Sequence, residues 1–289
     1  MKIKKLNLIS IILAIVIFTG CEVSKSELEK SKAVIVFYIR GNQVIDYSGK
    51  KDINWNKMVK EELKAYDIQQ NIGNKLLIAR GCEIGKYDYI KHKKEIIYKE
   101  NEERFAVASA LLVNNKILYI NQEDLTDDYD KNEGRLIKYN LESKKKTVID
   151  GNSSCDTRIV FNKNGDIVYH HINLKEEKGY EKRICTKSGK MYAYRDNKAL
   201  EVDTNKEVKK ITEDDFKSSM STTKDGKYSF EISVQSYNFN GTELAMVMKV
   251  IDNETGERDI LYEGEKENGP NAECLYDLIG DNPLVIQLE

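Results

Sequence analysis

The chain has 289 residues, with 46 Lys+Arg against 48 Asp+Glu for a formal net charge of −2, and it is 40% apolar and 33% charged with only two prolines, Pro270 and Pro283. This is a globular composition, long enough for one large domain or two small ones. The near balance of charge excludes a polybasic nucleic-acid binder and an acidic disordered tail, and the composition excludes collagen-like, mucin-like, disulfide-knot and polytopic membrane classes.

The first segment has the layout of an export signal: Lys2, Lys4 and Lys5 precede an apolar run from Leu6 to Phe18, which leads into Thr19, Gly20 and Cys21. A transmembrane helix needs about 20 predominantly apolar residues. Only 15 residues separate Lys5 from Cys21, and Asn7 and Ser10 are among them. Phe18-Thr19-Gly20-Cys21 resembles the lipobox of bacterial lipoproteins, with Phe18 standing where leucine is usual. The resemblance covers the first 21 residues only. It implies a diacylglyceryl thioether on the sulfur of Cys21, cleavage after Gly20, and a protein held on the extracytoplasmic face of a bacterial cell membrane. A single acyl chain binds a bilayer marginally, whereas two chains at about 0.8 kcal/mol per buried CH2 anchor it stably. Cleavage would leave 269 residues with a net charge of −5. The segment Glu22 to Lys32 is polar and rich in Ser, Lys and Glu, and is expected to be a flexible tether. The expected organisation is a signal peptide over 1–20, a lipidated cysteine and tether over 21–32, and a folded domain over 33–289.

From Ala33 onward, β-branched and aromatic runs alternate with turn pairs that tolerate positive φ, the strongest short-range hairpin signal. The pairs are Gly41-Asn42, Gly73-Asn74, Asn114-Asn115, Asn164-Gly165, Asp225-Gly226 and Asp281-Asn282. Most are followed by two further strand-like runs around a charged turn, over 86–100, 135–150, 198–212 and 248–264. A degenerate unit of four short antiparallel strands recurring about every 50 residues is the pattern of a β-propeller blade. Complete blades are expected near 70–100, 105–150, 156–212 and 217–264. The last hairpin, 273–288, would complete a fifth blade with the first, 33–47, joining the chain ends and removing two sheet edges. The expected fold class is an all-β propeller of about five four-stranded antiparallel blades, with six as the alternative. One segment departs from the pattern: Trp55, Met58, Val59, Leu63 and Tyr66 recur at helical spacing behind Asn54 as N-cap, predicting a short helix near 55–66.

The strand and turn pattern, in phrases such as GRLIKYNLESKKKTVI, resembles bacterial propeller domains of the TolB-like or related six-bladed type. The WD dipeptide and the Ser-x-Asp-x-Gly element of other propellers are missing, so the resemblance bears on architecture and not on ligand.

No catalytic constellation, cofactor site or metal site emerges from the residues. Of the three histidines, His92, His170 and His171, the last two are adjacent on a predicted strand and point to opposite faces, so they cannot share a metal. The acidic loop 124–134 places Asp128, Asp130 and Asn132 at alternate positions, as calcium prefers, yet Glu133 and Tyr139 stand where an EF-hand needs glycine and a bidentate glutamate. A solvated connection is the favoured reading of it. Cys82, Cys155, Cys185 and Cys274 allow three complete disulfide pairings, with Cys155 and Cys185 the first pair to test, or buried free thiols. Exposed propeller loops over 122–134, 173–180 and 235–242 are the expected partner contacts. The reading is a lipid-anchored, non-catalytic binding or scaffolding module. Its partners would be the membrane, through the lipid on Cys21, and an unknown protein or glycan, with no nucleic acid. The competing class is a propeller hydrolase or lyase acting on envelope glycans or peptides, for which a converging pair of carboxylates in the channel or a metal would be needed, and neither is identifiable from the sequence. A lipoprotein working beside a transporter or sensor is a third possibility.

Overall fold

The computed structural model describes residues 23, 25–38, 42–126, 133–155, 157–173, 179–237, 243–268 and 283–287. Cys21 with the export signal, Cys274, the turn at Asp281-Asn282 and, within the loops 122–134, 173–180 and 235–242, residues 127–132, 174–178 and 238–242 lie outside the described residues. The described chain is all-β, and every strand pairing in it is antiparallel.

Strand β1 (Ala33–Tyr38) lies between β2 (Asn42–Asp46) and β20 (Leu284–Gln287), so the two ends of the domain share one sheet as the sequence pattern suggested. Next come β3 (Asp67–Ile72), β4 (Lys75–Arg80), β5 (Glu83–Asp88) and β6 (Lys93–Lys99), a four-stranded meander. A second meander is formed by β7 (Phe105–Val113), β8 (Ile117–Asp124), β9 (Glu133–Asn140) and β10 (Lys146–Ser154). A third holds β12 (Ile167–Asn173), β13 (Gly179–Cys185), β14 (Met191–Arg195) and β15 (Lys198–Glu201), with the short β11 (Val160–Phe161) on the inner end of β12. The last sheet contains β16 (Tyr228–Ser236), β17 (Glu243–Asp252), β18 (Arg258–Glu263) and the two-residue β19 (Glu267–Asn268).

Turn chemistry accounts for much of this order. Asn114 and Asn115 both take positive φ (50° and 56°), the geometry that matches the twist of a tight β7–β8 hairpin. Gly73 does the same at φ +60° between β3 and β4, with nothing but solvent where a side chain would stand. Gly134 has the opposite constraint, because a Cβ there would collide with the carbonyl oxygen of Gln122 and with Cys155 Sγ.

Three expectations are corrected. The stretches 105–150 and 156–212 are not separate four-stranded sheets. Two register shifts in β10, around Asp150, carry it on to Ser154 and set Ser153 opposite His171, joining both meanders into one nine-stranded sheet. The run 198–212 yields only β15 and an isolated bridge between Leu200 and Glu207, and its irregular second half leads into a 3-10 helix over Glu213–Phe216. Finally, the segment expected to be a flexible tether contains helix α1 (Lys25–Lys30). Its apolar residues Val23 and Leu28 are buried beside Phe37, Tyr228 and Met246, and Glu27 accepts from Tyr228 at 3.1 Å. Two apolar side chains in a polar stretch are enough to dock it.

The predicted helix forms over a shorter span. Asn54 caps it, its side chain accepting from Lys57 N at 3.0 Å, and α2 (Trp55–Lys57) widens into a π-helical turn over Met58–Glu62 that closes with Leu63 N donating to Met58 O. Trp55, Met58, Val59 and Leu63 fill the space between the β1 sheet and the β3 meander, against Val34, Ile78, Tyr89 and Ile286.

The innermost segments of the sheets touch in a cycle. Leu284 and Ile286 of β20 pack with Ile68 of β3. Gln69 Oε1 of β3 accepts from Ala110 N of β7 at 3.1 Å, and Gln70 both accepts from Leu112 N (2.7 Å) and donates to Leu112 O (3.2 Å). Ser109 Oγ of β7 accepts from Ile159 N at the entry to β11 (3.0 Å). Phe161 O of β11 accepts from Ser219 N (2.7 Å), and Met220 O accepts from Val285 N of β20 (3.0 Å), which returns to the start. Met220 packs against three of the hydrophobic clusters at once.

A docked α1 and a free tether differ in stability. Leu28→Ala should lower the unfolding free energy by roughly 2–4 kcal/mol, as removal of a buried leucine side chain does. Urea denaturation of the domain from residue 22 onward measures it, and a change below about 0.5 kcal/mol, typical of an exposed position, would contradict the docking.

Candidate functional site

Where the cycle of inner segments opens to solvent there is a concavity of about 720 Å³. It collects side chains from segments far apart in sequence: Gln70 and Asn71 of β3, Phe161 of β11, Leu284, Val285 and Gln287 of β20, and all but Ser221 of the run Lys217 to Lys224. That run, KSSMSTTK, is polar and small except for Met220. Ser219 Oγ donates to Phe161 O and Asn162 O, both at 3.0 Å, and Lys224 N donates to Gln287 Oε1, so the backbone of the run is tied at both ends.

The floor is apolar, through Phe161, Met220, Leu284 and Val285, and the rim is basic. Lys163, Lys217 and Lys224 line it, and Asp214 is the one carboxylate among the described lining residues. Asp214 accepts from Lys217 Nζ at 2.7 Å with both side chains 64% exposed, and this lysine holds its carboxyl below the usual range. Asp215 stands behind, 3.6 Å from Lys163 Nζ. It is tied down by Thr212 N and by Asn164 Nδ2. Asn71 Oδ1 is buried at the edge of the cavity with no hydrogen-bond partner.

The sequence had drawn attention elsewhere, and the structure distributes those residues widely. His170 and His171 do face opposite ways: His170 Nδ1 meets Thr157 Oγ1 at 2.9 Å, while His171 Nδ1 meets Asp150 Oδ2 at 2.9 Å. His92 lies in a third place, 3.0 Å from Glu62 and 3.1 Å from Tyr87 OH. Among the described residues no cluster of His, Cys, Asp and Glu has the geometry to hold a metal ion. Asp124, the first acid of the loop 124–134, is held by Arg104 in a two-pronged pair at 2.8 and 2.5 Å, which leaves it poorly placed for a cation. The remaining acids of that loop lie outside the described residues apart from Glu133, whose backbone alone is described. No disulfide joins Cys82, Cys155 and Cys185 to one another. Cys155 Sγ donates to Gln122 O, whereas Cys185 is buried with Leu111, Ile159 and Tyr169, and burial pushes its thiol up to about 11.

Two buried ionic networks lie away from the concavity. Where the second and third meanders meet, Asp150 Oδ2 of β10 accepts from Tyr169 OH (3.0 Å), His171 Nδ1 and Arg183 NH1 (3.0 Å). Arg183 also donates to Glu181 (2.7 Å), which accepts from Arg195 as well. In the second, Glu100 accepts from Tyr98 OH (2.5 Å), Gln122 and Lys146 (2.9 Å). Burial alone would raise both carboxyls. For Asp150 it is outweighed by His171, the amide of Asn152 and Arg183, and for Glu100 by Tyr98, Gln122 and Lys146, holding each at about 2. A general acid needs a raised pKa, so these carboxylates, ionised at neutral pH and already occupied by hydrogen-bond donors, brace the sheets and are poor proton donors.

No protein-family model matches the sequence, and no curated protein matches it. Solved structures similar to the chain include TolB from Acinetobacter baumannii, at 10% identity and TM-score 0.45 over 81% of this chain. Others are the tricorn protease, at 10% identity and TM-score 0.33 over 80%, and dipeptidyl peptidase 4 from Porphyromonas gingivalis, at 9% identity and TM-score 0.28 over 80%. The chain spans 65% of the TolB chain and only 26% and 27% of the other two. At TM-scores below 0.5 these likenesses do not establish a common fold.

The depressed carboxyls have a pH consequence. Asp150 and Glu100 titrate at about 2 in the folded chain and near 4 when unfolded, so their contribution is complete above about pH 5 and disappears as pH falls through 4 towards 2. Urea midpoints measured from pH 6 to pH 2 should fall steeply over that window. Asp150→Asn should be less stable than the parent at pH 6 and show a shallower fall, and an unchanged slope would refute the assignment.

Proposed function

We propose that the chain is a lipid-anchored extracytoplasmic bacterial protein whose domain is a five-bladed β-propeller, and that it is a non-catalytic binding module whose ligand enters the mouth of the central channel. The blade count rests on the cycle of inner segments, β20, β3, β7, β11 and 219–223, each heading its own antiparallel sheet or half-sheet. The nine-stranded sheet is then two blades fused by the single pair Ser153–His171. Pairing of β20 with β1 supplies the closure that a propeller needs to leave no open edge at the ends of the chain.

The observation that carries the binding reading is the concavity itself. It is the kind of place where small ligands bind: an apolar floor, a few placed polar groups, and walls drawn from several rigid sheets. The rival hydrolase or lyase would require two facing carboxylates or a metal, and the described lining offers one carboxylate, Asp214, exposed and paired with Lys217. Anchoring rests on the Phe18-Thr19-Gly20-Cys21 box.

Two measurements bear on these proposals separately. Cys21→Ser should release the protein from the membrane fraction and abolish incorporation of labelled palmitate, and unaltered membrane retention would remove the proposed anchor. Hydrogen exchange of the domain mixed with solubilised envelope fragments should slow at residues 217–224 and 284–287. Slowing confined to other strands, or none, would rule out the mouth as the binding surface.

A further inference from the structure

We infer that the ligand of the channel mouth is an anionic carbohydrate, a pyranose carrying a carboxylate or phosphate; this rests on the mouth being the binding surface. Three independent demands in the site converge on that chemistry.

The first demand is for negative charge. In a chain whose net charge is −2, the described lining sets three lysines against one carboxylate. An exposed pair such as Lys217 with Asp214 is worth little in water, so Lys217 can be recruited by a ligand at small cost. Lys163 is shared only loosely with Asp215, at 3.6 Å. The backbone of Lys224 is fixed by Gln287, and its ammonium forms no ion pair among the described residues. A low-dielectric floor beneath such a rim concentrates the positive potential.

The second demand is for a donor. Most polar groups of the lining are already occupied: Gln70 by Leu112, Ser219 by Phe161 O and Asn162 O, and Asn253 by Gly226 O and Ser229. Asn71 Oδ1 is the exception, a buried acceptor with nothing to accept. A buried acceptor left unsatisfied is costly, and an ionised carboxylate by itself has no proton to offer it at neutral pH, whereas a sugar hydroxyl does.

The third demand is for an apolar surface. Phe161 and Met220 present carbon to the cavity, which complements the C–H face of a pyranose ring and not a small hydrated anion. The volume of about 720 Å³ is far larger than a lone inorganic anion needs. A neutral sugar would leave the lysines unmatched, and a flexible polyanionic peptide such as polyglutamate would leave the floor unmatched.

The test is calorimetric titration of the domain from residue 22 onward with four probes: a galacturonate oligosaccharide, its neutral galactose counterpart, glucose 6-phosphate and polyglutamate. The expected result is binding of at least one of the two charged sugars, about tenfold tighter than the neutral oligosaccharide and than polyglutamate, as one charge-assisted contact implies. That affinity should weaken with added salt and fall about tenfold in the double variant Lys163→Gln, Lys224→Gln. Asn71→Leu should weaken both charged and neutral sugars. Equal affinity for charged and neutral sugars, indifference to the double lysine change, tighter binding of polyglutamate, or no carbohydrate binding at all would each overturn the inference. In any of those cases, slowed exchange at 217–224 with envelope fragments would still sustain the mouth as a binding surface, so the two claims fail separately.

Discussion

One amide side chain illustrates the constraint on which the whole arrangement depends. Gln70 accepts from Leu112 N and donates to Leu112 O, reproducing with a side chain the pair of bonds a neighbouring strand would make. Sheets that meet only at their inner edges form no continuous backbone ladder with one another, yet those edges carry buried amides that cannot be left unpaired. Ser109 Oγ with Ile159 N and Gln69 Oε1 with Ala110 N solve the same problem at neighbouring places. Where Phe161 meets Ser219 and Met220 meets Val285, the backbones come close enough to bond directly. The centre is therefore rigid without being one sheet, and a cavity placed there inherits that rigidity.

Farther out, apolar clusters and buried ions divide the work. Hydrophobic contacts fill the gaps between sheets, as Leu77, Ile84, Leu112 and Ile137 do between the first two meanders. The ionic clusters around Asp150 and Glu100 fix alignment, because every partner must be present for the buried charge to be tolerated. Asp150 lies at the break in β10 where two meanders merge, so its bonds to Tyr169, His171 and Arg183 hold the irregular strand in place.

Turn chemistry made the hairpins legible in the sequence: Asn114-Asn115 and Gly73 mark β-turns where they were expected, and β20 pairs with β1 as the strand-like runs at the two ends suggested. Trp55, Met58, Val59 and Leu63 announced a helix, although the widening into a π-helical turn at Met58 has no local signature. The merger through Ser153 and His171 was invisible because it depends on register shifts deep inside a strand. The concavity was equally hidden. Its lining comes from residues up to 217 positions apart, Gln70 and Gln287 among them, and the run KSSMSTTK reads locally as an ordinary strand. The docking of α1 was missed because two apolar residues among many polar ones look like a linker until Tyr228 and Phe37 supply the surface they cover.

That docking changes how far the domain would stand from a bilayer. Val23 is buried, so Glu22 is the only residue between it and Cys21. Two steps of extended chain span about 7 Å. A lipid on that sulfur would hold the protein almost flush with the headgroups, with little room to swivel, and would make the angle of approach open to a large polymer a fixed property of the molecule.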